Sequence, residues 1–317
     1  VAAAGLCWAT TGIFGTILFE KSLDPLDVAS TRTVLAALVF LLYLLIRDPR
    51  LLKAGGYQLL MLAGGGLVAV TFFNIFYMNA IESTGVSTAV VLLYTSPVFA
   101  VFLSRMFLKE PLTGGKVIAL VLAFGGVILV VEAYEFFSLH FDAFGVAMGL
   151  GAGLCFAILS VFGKYILGGT NQLTASFYLL FFGAFFLVFV RPPWLALGQL
   201  VGVSTRGPAG GGAPPEVVLP VEASGITLNA ELFTTVLHLA AIVIISTFLA
   251  HVLYISGLSY LEAGKASIAV AIEPVAAILM AFAFLGERLT ALQYLGVVLV
   301  MAAVILIRRE GSRQEGG

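Results

Sequence analysis

The chain has 317 residues, 61% hydrophobic and only 10% charged, with a net charge of −1. A soluble domain carries about 25% charged and 45–50% apolar residues, so water is excluded as the solvent for most of this surface. The 35 glycines and 26 phenylalanines suit helices packed closely in lipid, where small residues let backbones approach. In chain order, ten segments reach the ~20 apolar residues that a spanning helix needs. They are Val1–Phe19, Leu26–Ile46, Tyr57–Ala80, Val86–Phe107, Gly115–Val131, Ala143–Ile166, Leu173–Val190, Thr234–Gly257, Ala263–Leu285 and Ala291–Ile307. The first begins at Val1 inside an apolar run and reads as a spanning helix without its leader, not as a signal peptide.

Short polar or turn-forming stretches separate the segments, except between the seventh and eighth. There residues 199–231 carry Gly207, Pro208, Gly210, Gly211, Gly212, Pro214 and Pro215, then Glu216, Glu222 and Glu231. This composition predicts a solvent-exposed loop, with a flap on the membrane surface as the competing reading. The two cysteines, Cys7 and Cys155, lie inside apolar runs and read as small buried side chains. No zinc-like Cys/His spacing, phosphate loop or Ser/His/Asp pattern occurs. Neither an enzyme, a metal, a cofactor nor a nucleic-acid partner is therefore expected.

Self-comparison exposes an internal repeat. A shift of 177 residues places Ala89, Pro97, Val98, Ala100, Phe107, Leu108, Glu110, Leu112 and Thr113 on identical residues from Ala266 to Thr290. Nearer the N-terminus the shift is 148, with Gly5-Leu6-Cys7 on Gly153-Leu154-Cys155. The difference matches the Gly/Pro-rich stretch, which is then an insertion in the second copy. The expected fold is all-α and membrane-embedded, ten transmembrane helices as two five-helix repeats. Residues 1–142 hold the first and residues 143–310 the second. Five is odd, so the second copy is inverted. Charge agrees: with the N-terminus in the cytoplasm, 11 Lys and Arg fall on that side and 4 outside, leaving aside Arg32 within the second helix. Both termini are expected inside.

Two motifs carry a family resemblance. Thr95-Ser96-Pro97-Val98 with Phe107-Leu108-Lys109-Glu110-Pro111-Leu112-Thr113, and Glu273-Pro274-Val275 with Phe284-Leu285-Gly286-Glu287-Arg288-Leu289-Thr290, resemble the EamA domain of the drug/metabolite transporter superfamily. The resemblance covers the chain apart from residues 199–231. It implies export of amino acids or other small metabolites, and a central cavity lined by helices one, three, four, six, eight and nine. Relatives carry nucleotide sugars or sugar phosphates.

Polar groups in the helix middles are the candidate site, because inverted-repeat transporters bind near the midplane and such groups are expensive there. Glu273 lies about nine residues into the ninth helix, ~13 Å at 1.5 Å per residue. It reads as a proton or substrate-amine site, or as a carboxylate bonded to neighbouring helices; its repeat mate is Ser96. His251, with Thr247 and Tyr254 on one face of the eighth helix, has Asn74 and Tyr77 as first-copy counterparts. A His251–Glu273 proton relay and a merely hydrogen-bonded histidine are the two readings. Protons are accordingly the candidate coupling ion. Trp8 and Thr11 on the first helix, Phe156 and Ser160 on the sixth, and Tyr94 beside Pro97 are candidate cavity walls, against ordinary packing.

Pro97 and Pro274, mid-helix, predict kinks that could act as hinges. Arg32 is expected to snorkel to the headgroups, with anion binding as the alternative. Gly145, Gly149 and Gly153 form a close-packing ridge. Glu110 and Glu287 are expected to cap the next helix or pair locally, with gating as the lesser reading. The leading function is a secondary carrier of small polar metabolites, probing first for amino-acid export. Its partners would be a small-molecule substrate and the lipid bilayer. A passive channel or a carrier of phosphorylated metabolites are the alternatives.

Overall fold

The structure is a computed structural model that describes residues 1–20, 25–133, 142–194, 204–206, 216–218, 225–285 and 288–314. Lipid offers the backbone no hydrogen-bonding partner, so apolar runs of this length fold as helices. These are α1 (Ala2–Glu20), α2 (Pro25–Arg47), α3 (Gly56–Thr84), α4 (Val86–Leu108), α5 (Gly114–Val130), α6 (Ala143–Ile166), α7 (Gln172–Val190), α8 (225–258), α9 (263–285) and α10 (Ala291–Gln314). Among the described residues eight helices are long and apolar enough to cross a bilayer: α2–α4 and α6–α10. The helix α5 is apolar but shorter, at 17 residues. The chain is an integral, multi-pass membrane protein.

Local sequence explains the helix starts. Thr113 caps α5 by accepting from the Lys116 N–H at 3.2 Å, and Asp142 caps α6 through Phe144 at 3.1 Å. Asn171 caps α7 through the Leu173 N–H at 2.9 Å. One expectation needs correction. The stretch expected to be loop through residue 231 is already helical from Gly225, and it contains a short antiparallel pair, β1 (Ser204–Arg206) with β2 (Glu216–Val218). Ile226, Leu228 and Ala230 favour a helix there, although the neighbouring glutamates read as solvent-exposed. The Gly/Pro run 207–215 between the strands lies outside the described residues.

The long helices are irregular, and the irregularities recur. The ladder widens to i→i+5 bonding over Leu67–Phe72 in α3 and Ile242–Leu249 in α8. It does so again over Ser104–Leu108 at the end of α4 and, 177 residues later, Ala281–Leu285 in α9. The helix α4 breaks at Tyr94–Thr95 and restarts at Ser96; α9 breaks at Val270–Ala271 and restarts at Ile272. The prolines therefore do not bend continuous helices. Pro97 and Pro274 sit in the first turn of a restarted helix, where an N–H would have no intrahelical partner to lose.

Packing follows the same pairing. One buried cluster joins α4 and α5 to α9 and α10 through Val91, Val101, Val127, Val275 and Val300. A second joins α1, α3, α6, α7, α8 and α9. A third sets α2 against α7 and α8 through Phe40, Leu44, Phe177 and Val243. The glycine ridge of α6 packs as expected: a Cβ on Gly153 would meet Thr95 Oγ1 at 2.8 Å and the Leu92 carbonyl at 3.0 Å. Its counterpart Gly5 packs α1 on the break of α9, where a Cβ would meet Ile272 at 2.8 Å. The outward faces of α2, α5 and α10 carry Leu42, Ile46, Ile118, Val121, Leu295 and Val298 exposed, a surface for lipid rather than water.

Candidate functional site

The breaks in α4 and α9 bring polar groups into the interior. The restart of α9 puts Glu273 in the first turn of a half-helix, where the backbone dipole and free N–H groups favour a carboxylate. The break in α4 presents Tyr94, whose hydroxyl donates to Glu273 Oε2 at 3.0 Å. Two expected site residues, one from each side of the repeat, thus meet. Tyr77 on α3 is within electrostatic reach of the same carboxylate.

Arg32, expected to snorkel to the headgroups with anion binding as the alternative, does not reach for the headgroups. It lies on α2 seven residues from Pro25, ~10 Å along the axis, and its side chain turns inward. Nη1 donates to Thr247 Oγ1 at 3.2 Å and Nη2 to Asn74 Oδ1 at 3.4 Å. Both acceptors lie in or just after a widened turn. Thr247 lies within the widened turn of α8, and Asn74 follows that of α3, its amide bonded back to the Val70 carbonyl at 2.7 Å. Such turns recur at functional sites. Arg32 is also within electrostatic reach of Glu273. The signal available in the sequence was its charge within an apolar helix, which marks a functional position by default.

An aromatic wall stands beside these groups. The rings of Trp8, Phe156 and Tyr254 lie 5.2–5.7 Å apart. Phe73 connects Phe156, at 6.1 Å, to Tyr77, at 5.8 Å. The Tyr254 hydroxyl is bonded to Ser160 Oγ at 2.5 Å, and Thr10 on α1 reaches Ser246 on α8 at 2.6 Å. Neither Thr10 nor Ser246 was singled out from sequence. Ser96 is buried and Thr11 half-buried; neither side chain makes a hydrogen bond among the described residues. His251 is not brought to Glu273. It is buried, its Nε2 makes no hydrogen bond among the described residues, and no hydrogen bond or ion pair joins it to Glu273 there.

A second polar cluster closes one end of the interior. Glu110, expected to cap the next helix, instead caps α9: its carboxylate accepts from the Ala263 N–H at 2.7 Å and the Gly264 N–H at 3.2 Å. Thr113 already serves the next helix, which frees Glu110 to reach across. Lys116, 1% exposed, lies 3.8 Å from Glu110 and 2.5 Å from Glu262, while Lys265 is 3.4 Å from Glu262. The repeat mate Glu287 lies outside the described residues.

Comparisons with known proteins agree on a transporter. The sequence profile of the EamA-like transporter family matches residues 1–132 and 143–309. An uncharacterized transporter of Clostridium kluyveri is 26% identical over 94% of this chain and 88% of its own length. The uncharacterized transporter YwfM of Bacillus subtilis is 25% identical over 99% and 94%. A solved structure at 15% identity superposes with a TM-score of 0.73, covering 99% of this chain and 96% of its own, which shows a shared fold.

Proposed function

Because the chain belongs to the EamA-like transporter family of the drug/metabolite transporter superfamily, we propose that it is a secondary transporter exporting small polar metabolites, amino acids first among them, across the cell membrane. The observation that carries the reading is a pair of interior polar groups, Tyr94–Glu273 and Arg32 with Asn74 and Thr247, in a bundle that also holds the aromatic cluster of Trp8, Phe156 and Tyr254. Polar groups placed so deep need a ligand, water or each other, and this set mixes opposite charges with neutral donors and acceptors.

On this reading the ten helices are ten spans, arranged as two five-helix repeats of opposite orientation. Helix irregularities recurring 177 residues apart support it, as does a family profile that matches twice. The excess of Lys and Arg on one side supports cytoplasmic termini. Access alternates between the two faces: the Glu110–Lys116–Glu262 cluster is the closed cytoplasmic gate, and the breaks at Tyr94–Thr95 and Val270–Ala271 are the hinges. A passive pore would need a polar track open to both faces, whereas this cluster ties the two halves together at one end.

The test is counterflow in proteoliposomes preloaded with an amino-acid mixture. Transient accumulation of a labelled amino acid, abolished by excess of its unlabelled form, is expected. A label that equilibrates without overshoot would indicate a pore, and no movement of any amino acid or phosphorylated metabolite would end the carrier reading.

A further inference from the structure

Where α6 turns into α7, an open cavity of about 370 Å³ lies between that turn and the end of α8. It is lined by Leu167, Thr170, Asn171, Gln172, Leu173 and Ser259, none of which belongs to the interior site. Its walls are tied in place. Gln58 at the start of α3 donates to the Gly169 carbonyl at 3.1 Å, and Gln172 Nε2 donates to Ser259 Oγ at 2.7 Å. The polar lining is rich in donors and contains no carboxylate. Thr170 Oγ1 is shielded from solvent yet has no hydrogen-bond partner among the described residues, a costly state for a hydroxyl. Asn171 accepts from the Leu173 N–H at 2.9 Å, and its amide nitrogen makes no hydrogen bond among the described residues. Lys164, half-buried in the last turn of α6, directs two of its three donors to the Leu258 carbonyl at 2.7 Å and the Ser259 carbonyl at 3.4 Å. It forms no ion pair among the described residues. The first turn of the 19-residue α7 faces the same space, and its dipole favours negative charge there.

We propose that this cavity binds a phosphate group, with the Thr170 hydroxyl, the Asn171 amide and the third N–H of Lys164 as its donors. Ionised phosphate oxygens accept hydrogen bonds, so they match a donor lining beside an unpaired cation; an ammonium ligand would find no carboxylate. Two sources offer this chemistry, a free phosphate and a phospholipid headgroup. The cavity lies at the ends of the spans, with Leu167 and Leu173 in its lining and the exposed Tyr165 two residues before Leu167, a level that headgroups reach. Ser259 and Glu262 share the α8–α9 turn, so an occupant also steadies the turn from which the closed gate is built. That consequence rests on the transporter reading; the binding itself does not.

The experiment is thermal unfolding of the purified protein in a neutral detergent, titrated separately with three probes. They are inorganic phosphate, dioctanoyl phosphatidic acid, and dioctanoylglycerol, which keeps the chains but lacks the phosphate. A ligand that binds only the folded state raises the midpoint with its concentration. The wild-type protein should show such a rise with phosphatidic acid, and none with dioctanoylglycerol. A rise with inorganic phosphate as well identifies free phosphate as sufficient; a rise with phosphatidic acid alone identifies a headgroup. Thr170→Val removes an unpartnered hydroxyl, so the unliganded midpoint should stay or rise while the concentration needed for a given shift increases about five-fold. Lys164→Gln should increase it roughly ten-fold, and Lys164→Arg should restore most of the response. Thr170→Val decides the matter if Lys164→Gln fails to fold. No rise with either phosphate compound, an equal rise with dioctanoylglycerol, or a response unchanged in Thr170→Val or in folded Lys164→Gln would overturn the proposal. Counterflow measured alongside separates it from the carrier reading: the expected rise in a protein that moves no metabolite would keep the site and end only its link to the gate.

Discussion

Tyr94 holds Glu273 through a single hydrogen bond of 3.0 Å, and hydrogen bonds to charged groups contribute about 1.5–3 kcal/mol. On the proposed function its role is positioning: the hydroxyl fixes the carboxylate that would face the substrate. Tyr94→Phe should therefore raise KM for the transported metabolite by about ten-fold while leaving the maximal rate within about two-fold. Initial rates in proteoliposomes separate the two. An equal fall in both, with a lower unfolding temperature, would mean that Tyr94 serves packing alone. Glu273 and the aromatic residues were legible in the sequence because depth along an apolar helix is read directly from residue count. Arg32 was not, since ~10 Å from a helix end is within reach of headgroups and interior alike. Only Asn74 and Thr247, on other helices, decide which way its side chain turns. His251 makes no hydrogen bond to Glu273 among the described residues, and the sequence could not foresee this because helical spacing gives a face, but not which neighbour that face meets.

Close approach governs the helix pairs. The α5–α10 crossing is built on Gly126 and Gly296, each of which would drive a Cβ into the other's carbonyl, at 2.8 and 2.7 Å. Gly125, one residue earlier, has open space around it. Gly126→Leu should destabilise the protein by about 1–3 kcal/mol through overpacking, seen as a lower midpoint for loss of the monodisperse peak on heating in detergent. Gly125→Ala should be neutral or slightly stabilising. Equal behaviour of the two variants would contradict the crossing. The elements themselves were legible, because hydropathy marks apolar runs whatever they pack against. The breaks were legible in part: Pro97 and Pro274 announced irregularity near the right places. The widened turns at Leu67–Phe72 and Ile242–Leu249 contain no proline, and no local residue type marks them. The 177-residue register, once the Pro97 and Pro274 regions are aligned, is the signal that connects them.

Across the whole molecule, the Glu110 cap on α9 is the contact that the proposed alternating access would have to break. It joins a residue of the first half to the start of a helix in the second, reinforced by the buried Lys116 between Glu110 and Glu262 and by Lys265 beside Glu262. A buried cluster of this kind is costly to leave half-paired, so it suits a closed end that opens as a unit. The repeat was legible in the sequence; this contact was not, because Glu110 and Ala263 are distant in the chain and only the fold joins them. The most direct measurement is cross-linked counterflow. Ser104 on α4 and Gly264 on α9 face each other at this end, a Cβ on Gly264 lying 3.4 Å from Ser104 Oγ, close enough for a disulfide. In a background with Cys7 and Cys155 replaced by serine, the Ser104→Cys/Gly264→Cys protein should lose counterflow on oxidation and regain it on reduction. Undiminished exchange by fully cross-linked protein would contradict alternating access through this end.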